Sequence, residues 1–181
     1  MSLNYKSYWR KSGLKRKWGN IFLERLLKYN PKNVLEIGVF CGVTARNTCD
    51  LLNKINGKNF NYIGVDLFGR DKSEVKDEIE PTFLKDQKFS NPLKNIYYNY
   101  ILKENLNSIK SVSKFLIKYK DNIKLIAGDT NKVLKEIDLQ NIDFTFLDGG
   151  HSYQTVINDL TILYERMKGK NKVIFCDDYG K

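Results

Sequence analysis

Residues 142–160, with the sequence IDFTFLDGGHSYQTVINDL, hold two side chains that could take part in catalysis. An apolar run ends at Asp148, two glycines follow, and then comes His151, the only histidine among 181 residues. A carboxylate can bind a cation, and histidine ordinarily titrates near neutral pH, which suits a general base. Asp148 and His151 are therefore candidate catalytic residues. The alternative is an ordinary helix start, in which Ser152 caps the helix and Asp148 closes a turn.

Glycines and a carboxylate also mark the end of an apolar run near the N-terminus. The stretch VLEIGVFCG places Glu36, Gly38 and Gly42 there. Glycine lets a backbone approach a ligand closely, and the predicted helix N-terminus behind this turn favours a negative group. Phe40 stands where the dinucleotide fingerprint G-x-G-x-x-G has its second glycine. A pyrophosphate is therefore disfavoured at this turn, and a smaller carboxylate fits.

Two further strand ends extend the predicted ligand site. Asp66 closes the second apolar run, where a carboxylate can accept both hydroxyls of a ribose. Asp129 follows the third run, where the adenine of a nucleoside lying across the sheet would fall. Together the three strand ends predict a ligand made of adenosine with a carboxylate-bearing tail and no phosphate. S-adenosylmethionine has that shape.

Strand-like and helical patterns alternate along the chain. Apolar runs predict strands at residues 34–39, 60–67, 123–127, 142–147 and 172–176, and helical spacing predicts helices at 21–29, 43–55, 131–137 and 152–167. This alternation predicts an α/β fold: a doubly wound, Rossmann-like, mostly parallel sheet with helices on both faces. Ligands of such sheets bind at the carboxyl ends of the strands, which is where the candidate residues fall.

A single domain spanning residues 1–181 is expected from the length, with two less regular parts. Residues 1–30 form a predicted N-terminal helical segment. Residues 69–121 form a predicted insert, made of a cap or lid followed by a crossover helix whose pattern runs through residues 102–119. Tyr97, Tyr98 and Tyr100 in this insert could flank a sugar or an aromatic substrate. A surface subdomain or a dimer contact is the alternative.

The composition limits the classes of function. The formal net charge of +10 comes mostly from scattered lysines, and a basic block occurs at residues 10–17, so a solvated lysine-rich face is favoured over a nucleic-acid surface. Three cysteines without C-x-x-C spacing fit a reduced cytoplasm and argue against a zinc site. No apolar run approaches the roughly 20 residues that span a bilayer, so we expect no membrane partner. A homodimer is left open.

Five motifs resemble those of the class I S-adenosylmethionine-dependent methyltransferases: VLEIGVFCGVTA, YIGVDLF, LIAGDTNKVL, FLDGGHSYQTVINDL and VIFCDDYG. They are most similar to metal-dependent small-molecule O-methyltransferases related to the macrocin and mycinamicin sugar enzymes. The resemblance covers residues 34–180 without 69–121. It implies that Glu36, Gly38 and Gly42 hold the methionine end of S-adenosylmethionine. It further implies that Asp66 holds the ribose and Asp129 the adenine side.

The same resemblance implies a divalent cation, Mg²⁺ or Mn²⁺, bound by Asp148, Asp177 and Asp178. Such an ion would favour ionisation of a small-molecule hydroxyl acceptor, and His151 would take its proton. The usual fold of this family continues past the fifth strand with a helix and an antiparallel strand pair. We expect this sequence to lack that pair.

Three other functions remain open. A methyltransferase acting on RNA is favoured by the basic N-terminus and disfavoured by the small-molecule type of metal site. A non-catalytic module that binds a cofactor or a partner is the second alternative. The third, a nicotinamide-dependent dehydrogenase, is disfavoured by the glycine spacing at Gly38 and Gly42.

Overall fold

A five-stranded parallel sheet forms the centre of the computed structural model, which describes residues 3–69, 89–169 and 171–177. The strands are β1 (Asn33–Ile37), β2 (Asn61–Asp66), β3 (Ile123–Ala127), β4 (Phe144–Leu147) and β5 (Val173–Cys176). Their order is β3-β2-β1-β4-β5, and every neighbouring pair is parallel. The chain builds outward from β1 in one direction and then in the other. The predicted doubly wound sheet is confirmed.

Six α-helices and three helical turns of other types accompany the sheet in the described part of the chain. The α-helices are α1 (Arg16–Tyr29), α2 (Val43–Asn56), α3 (Pro92–Ile96), α4 (Ile109–Phe115), α5 (Thr130–Glu136) and α6 (Tyr153–Arg166). A π-helical turn at Tyr97–Leu102 continues α3, and 3-10 turns lie at Ile117–Tyr119 and Leu139–Asn141. None of these helices is both long and apolar enough to cross a membrane.

The helices cover both faces of the sheet because side chains of β1 alternate between them. Val34 packs into one core with Phe22 of α1 and Leu52 of α2. Leu35 packs into a second core with Leu163 of α6. Burial of apolar side chains in both cores stabilises the strand order that determines which strand ends are neighbours.

The prediction of one long crossover helix through residues 102–119 is wrong. The π-helical turn ends at Lys103, whose left-handed backbone has φ 48°, and α4 starts only after Ser108. The Ser108 hydroxyl accepts a hydrogen bond from the Ser111 N–H at 3.2 Å, which caps a new helix. Local side-chain caps compete with a continuous helix, and the apolar spacing alone does not reveal them. Residues 70–88 of the predicted cap or lid lie outside the described residues.

Residues 3–15, here called the N-terminal strap, are irregular and lie against α1 and α2. The hydroxyl of the buried Tyr5 forms hydrogen bonds of 2.7 Å with Ser12 and with Thr44 of α2. Asn47 of α2 accepts the Lys6 N–H at 2.9 Å and donates to the Lys6 carbonyl at 2.8 Å. The predicted helical segment at residues 1–30 is thus a strap followed by α1, which starts at Arg16 rather than near residue 21.

Gly19→Ala should destabilise the protein by about 1–3 kcal/mol, because a Cβ at Gly19 would lie 2.2 Å from Cγ of Tyr5. An alanine for a glycine inside a helix ordinarily stabilises by about 0.5–1 kcal/mol, so the sign itself is diagnostic. Urea denaturation of a double-mutant cycle with Tyr5→Ala measures this. In the Tyr5→Ala background Gly19→Ala should become stabilising. Destabilisation of equal size in both backgrounds would show that the strap does not pack on Gly19.

Candidate functional site

The carboxyl ends of β2, β1 and β4 bring three predicted site residues side by side. β1 lies between β2 and β4, and Ile37 is in register with both Val65 and Leu147. The residue after Ile37 is Gly38, so Asp66 and Asp148 flank this glycine on its two sides. The glycine turn and the two carboxylates therefore form one cluster, here called the carboxyl-edge cluster.

Gly38 has a positive φ of 89° and lies directly against the chain leaving β4. A Cβ at this position would be 2.0 Å from the Asp148 carbonyl oxygen and 2.8 Å from Cα of Gly149. The Asp148 N–H donates to the Ile37 carbonyl at 2.9 Å, which fixes this approach. Only glycine combines that backbone conformation with so close a neighbour.

The Asp66 carboxylate ties together the two turns that follow β1 and β2. One oxygen accepts the Phe40 N–H and the other accepts the Phe68 N–H, each at 2.7 Å. Both phenylalanines have left-handed backbones, with φ values of 51° and 52°. Such conformations are costly for residues with a Cβ and persist where the surroundings enforce them. Asp66 therefore determines the shape of both turns beside the candidate site.

Glu36 lies within the sheet beneath this cluster and is 1% exposed. One carboxyl oxygen accepts the Tyr62 hydroxyl at 2.7 Å, and the other is buried without a hydrogen-bond partner among the described residues. Burial raises the pKa of Glu36 well above its ordinary value, and the nearby Asp148 and Asp66 raise it further. Glu36 therefore holds its proton more tightly than an exposed glutamate does.

Two other predicted cofactor residues make local structural contacts. Gly42, with φ 75°, precedes α2, and a Cβ there would lie 3.0 Å from Val112 of α4. Asp129 caps α5, since its carboxylate accepts the Asn131 N–H at 2.8 Å. Both lie at the carboxyl edge, as the sequence predicts, and both positions also have a structural reason for their residue type.

The residues predicted to bind a metal or move a proton follow β4 and β5. The Asp177 N–H donates to the Leu147 carbonyl at 3.0 Å, so Asp148 and Asp177 leave neighbouring strands together. His151 is exposed just before α6, and Ser152 caps that helix by accepting the Thr155 N–H at 3.2 Å. Asp178 lies outside the described residues. Within those residues no group of three or more His, Cys, Asp or Glu side chains could hold a metal ion.

The strap adds residues that sequence reasoning missed. A Cβ on Gly13 would lie 2.7 Å from the Asp148 carboxylate, so the strap crosses directly over that side chain. The Arg10 guanidinium donates to the Cys41 carbonyl at 3.0 Å and lies 4.3 Å from the Phe115 ring centre. Burial lowers the pKa of Arg10 below its ordinary value. Arg10 belongs to a run of basic residues, and nothing in the run distinguishes it from its exposed neighbours.

A cleft of about 710 Å³ lies at the opposite edge of the sheet. Its polar lining includes Asn33, Asn61, Asn122 and Asn141, all near the amino-terminal starts of strands. Parallel α/β sheets bind ligands at their carboxyl ends, where the dipoles and free backbone groups of the following helices converge. We therefore place the candidate site at the carboxyl-edge cluster and not in this cleft.

A family model described as a methyltransferase domain matches residues 35–179. The chain belongs to this methyltransferase-domain family. The matched residues include the carboxyl-edge cluster and the ends of β4 and β5. Among curated protein sequences, none matches this chain significantly.

Several solved structures share the fold at low sequence identity. The S-adenosylhomocysteine-bound methyltransferase PaMTH1 from Podospora anserina has a TM-score of 0.59 and 17% identity over 91% of this chain and 53% of its own. The O-methyltransferase TomG from Streptomyces achromogenes, involved in tomaymycin synthesis and solved with S-adenosylmethionine, has a TM-score of 0.57 and 12% identity over 90% of this chain and 56% of its own. The precorrin-6y C5,15-methyltransferase from Geobacter metallireducens has a TM-score of 0.53 and 12% identity over 91% of this chain and 64% of its own.

These likenesses show the fold alone, because the identities are low. The chain spans between 53% and 64% of the length of these three solved relatives. The described sheet ends at β5, whose outer edge is not paired with another described strand.

Glu36→Gln should change how stability depends on pH. The pKa of Glu36 is raised in the folded protein, so the folded protein keeps a proton that the unfolded chain releases above the ordinary glutamate pKa of 4.5. Wild-type stability should therefore fall as pH rises above that value, by up to about 1.4 kcal/mol per pH unit. The glutamine variant lacks this loss. Its free energy of unfolding, measured by urea denaturation, should therefore rise relative to that of the wild type between pH 5 and pH 8, a range of about three pH units.

Glu24→Gln is the matched control, because Glu24 is exposed on α1. Its stability should follow the wild-type pH dependence. If Glu36→Gln also follows the wild type, Glu36 is ionised in the folded protein and its raised pKa is excluded.

Proposed function

We propose that this protein is an S-adenosylmethionine-dependent O-methyltransferase acting on a hydroxyl group of a small molecule. The observation that carries the proposal is the carboxyl-edge cluster, in which Asp66 and Asp148 flank Gly38 in a chain of the methyltransferase-domain family. Two relatives of the same fold were solved with S-adenosylhomocysteine or S-adenosylmethionine. A small-molecule acceptor is supported by the involvement of TomG in tomaymycin synthesis.

The hydrogen-bonding capacity of Asp66 fits a ribose. Each carboxylate oxygen accepts one backbone N–H, and a carboxylate oxygen has lone pairs for a second donor. The two ribose hydroxyls are such donors, and the backbone bonds hold the carboxylate ready for them. We place the methionine end near Glu36, Gly38 and Gly42, and the adenine near Asp129.

Methyl transfer requires alignment and a base. The C–S bond of the sulfonium breaks as a C–O bond forms to the acceptor, S-adenosylhomocysteine leaves, and the hydroxyl proton must go to a base. His151 is exposed at the turn after β4 and carries an imidazole that can accept this proton. Asp148 is the alternative base, three positions earlier in the same turn.

We further propose a divalent cation, Mg²⁺ or Mn²⁺, at the ends of β4 and β5. Asp148 and Asp177 leave neighbouring strands, and two carboxylates fit Mg²⁺, which commonly keeps water and substrate oxygens as its other ligands. Asp178 is the third proposed ligand. When bound, the ion would supply Lewis-acid stabilisation of the ionised acceptor.

The ribose contact can be tested by titrating S-adenosylhomocysteine and its 2′-deoxy analogue calorimetrically into wild type and Asp66→Ala. Loss of a hydroxyl that donates to a carboxylate should weaken binding to the wild type by about tenfold or more, since such a bond contributes about 1.5–3 kcal/mol. In Asp66→Ala the two ligands should bind equally weakly. An equal penalty for the 2′-deoxy analogue in both proteins would remove Asp66 from the ribose site.

Asp143→Ala provides a matched control at the opposite edge of the sheet. The Asp143 carboxylate also accepts two backbone N–H groups, those of Lys32 at 3.0 Å and Asn33 at 2.9 Å. Its removal costs the same kind of structural bonds without touching the carboxyl edge. The preference for the 2′-hydroxyl should therefore remain at its wild-type size in this variant.

The metal and the base can be tested together with labelled S-adenosylmethionine and a panel of sugar and phenol acceptors. Activity should require Mg²⁺ or Mn²⁺ and be lost in EDTA. His151→Ala should lower the rate by about a hundredfold or more, the usual effect of removing a positioned general base. Its affinity for S-adenosylhomocysteine should not change. Tyr153→Ala, at an exposed position two residues later at the start of α6, is the control and should keep its rate.

A shift in melting temperature gives an independent measurement of the metal. Mg²⁺ should raise the melting temperature of the wild type, as any ligand of the native state does, but not that of Asp148→Asn or Asp177→Asn. Full activity in EDTA would remove the metal from the mechanism. Full activity of His151→Ala with metal present would leave Asp148 as the base.

A further inference from the structure

The helix formed by α3 and the following π-helical turn carries its apolar side chains outward. Five of them form what we call the apolar stripe: Leu93 (68% exposed), Ile96 (51%), Tyr97 (39%), Tyr100 (70%) and Ile101 (68%). Positions spaced by three and four residues lie on one side of a helix. Exposed apolar side chains grouped on one side of a helix can mark an interaction site.

The helix is firmly seated, so the stripe is not a consequence of a detached segment. Tyr98 on its inner side is 5% exposed and packs with Cys41 and Leu106. Its ring stacks on Phe89 at 5.0 Å between centroids. Its hydroxyl donates to the Trp9 carbonyl at 3.1 Å. The inner side therefore fixes the helix on the glycine turn, and the stripe faces away from the protein.

Trp9 of the strap extends the stripe. Its ring is 48% exposed and meets Tyr97 edge-on, with centroids 6.1 Å apart. Tyr8 and Trp9 both have left-handed backbones, with φ values of 49° and 65°. Such residues cost about 1–3 kcal/mol each and are concentrated at binding sites. A strained turn that displays a tryptophan at the surface is consistent with a binding role for that ring.

Among the described residues, the segments that contain the stripe and Trp9 carry basic charges. Residues 91–103 contain Lys94 and Lys103 and no acidic residue, and residues 3–18 contain only basic charges. The Lys94 ammonium lies 5.7 Å from the Trp9 ring centre. Glu104, which follows this stretch, acts electrostatically on the half-buried Arg10. With a net charge of +10, two copies of the chain would repel each other, so charge favours an anionic partner.

We propose that the apolar stripe and Trp9 dock on the surface of an anionic lipid bilayer. Aromatic and aliphatic side chains enter the boundary between headgroups and acyl chains, while lysines beside them meet anionic headgroups. Three exposed aliphatic side chains favour lipid over single-stranded RNA, which is bound by aromatic stacking and charge. Docking in the interface needs no spanning helix, so it replaces the expectation of no membrane partner. It is independent of the proposed methyl transfer.

Flotation with vesicles tests this proposal. The protein should float with phosphatidylcholine vesicles containing phosphatidylglycerol, and much less with phosphatidylcholine alone or at high salt. Tyr100→Asp should lower the partition coefficient at least about tenfold, since one buried aromatic side chain is worth more than 1.4 kcal/mol. Tyr164→Asp is the matched control: Tyr164 is 82% exposed on α6, on the other face of the sheet. It should partition like the wild type.

Tryptophan fluorescence reports insertion at the stripe itself. In a Trp18→Phe background, the emission maximum of Trp9 should shift to shorter wavelength when anionic vesicles are added. Circular dichroism melting of each variant shows whether it is folded. Wild-type protein that stays unbound, or equal partitioning of Tyr100→Asp and Tyr164→Asp, would overturn the proposal. Two other results would also overturn it, each in the absence of vesicle binding. One is a dimer that Tyr100→Asp abolishes, and the other is binding of an oligoribonucleotide that Tyr100→Asp abolishes.

Discussion

The backbones leaving β1 and β4 touch at Gly38, and the candidate site depends on that contact. The position of a Gly38 Cβ lies 2.0 Å from the Asp148 carbonyl oxygen, so any side chain would force the two strand ends apart. This closeness places Asp148 beside the turn that precedes α2, where its charge acts on the buried Glu36. The central position of β1 then brings Asp66 to the other side of the same glycine. One close backbone contact thus gathers three carboxyl groups at one edge of the sheet.

The same chemical group has a different task at each of these positions, and the surroundings decide which. Asp66 accepts two backbone N–H groups and so holds two left-handed turns in place. Glu36 is enclosed with one hydroxyl partner, so burial favours its neutral form. Asp148 lies under the strap at Gly13 and is more exposed than either of the other two.

The strap links this edge to the outer surface of the protein. Arg10 binds the Cys41 carbonyl of the glycine turn, while Trp9, its neighbour in sequence, faces outward beside Tyr97. One short segment therefore contacts both the glycine turn and the exposed aromatic side chains at the surface. The chain spans 53% of the length of PaMTH1, and its own described sheet forms the carboxyl-edge cluster.

The sequence by itself determined the strands, their alternation with helices, and which acidic residues stand at strand ends, because these depend on local periodicity. It failed where short polar contacts overrode periodicity, as at Ser108, which starts α4 inside the predicted long helix. Only the tertiary structure decided that Asp66 accepts the Phe40 N–H, and that Arg10 is half-buried while Lys15 and Lys17 of its run are exposed. Partners such as these lie far apart in the chain, and the free energy of a charge depends on the burial that their packing creates.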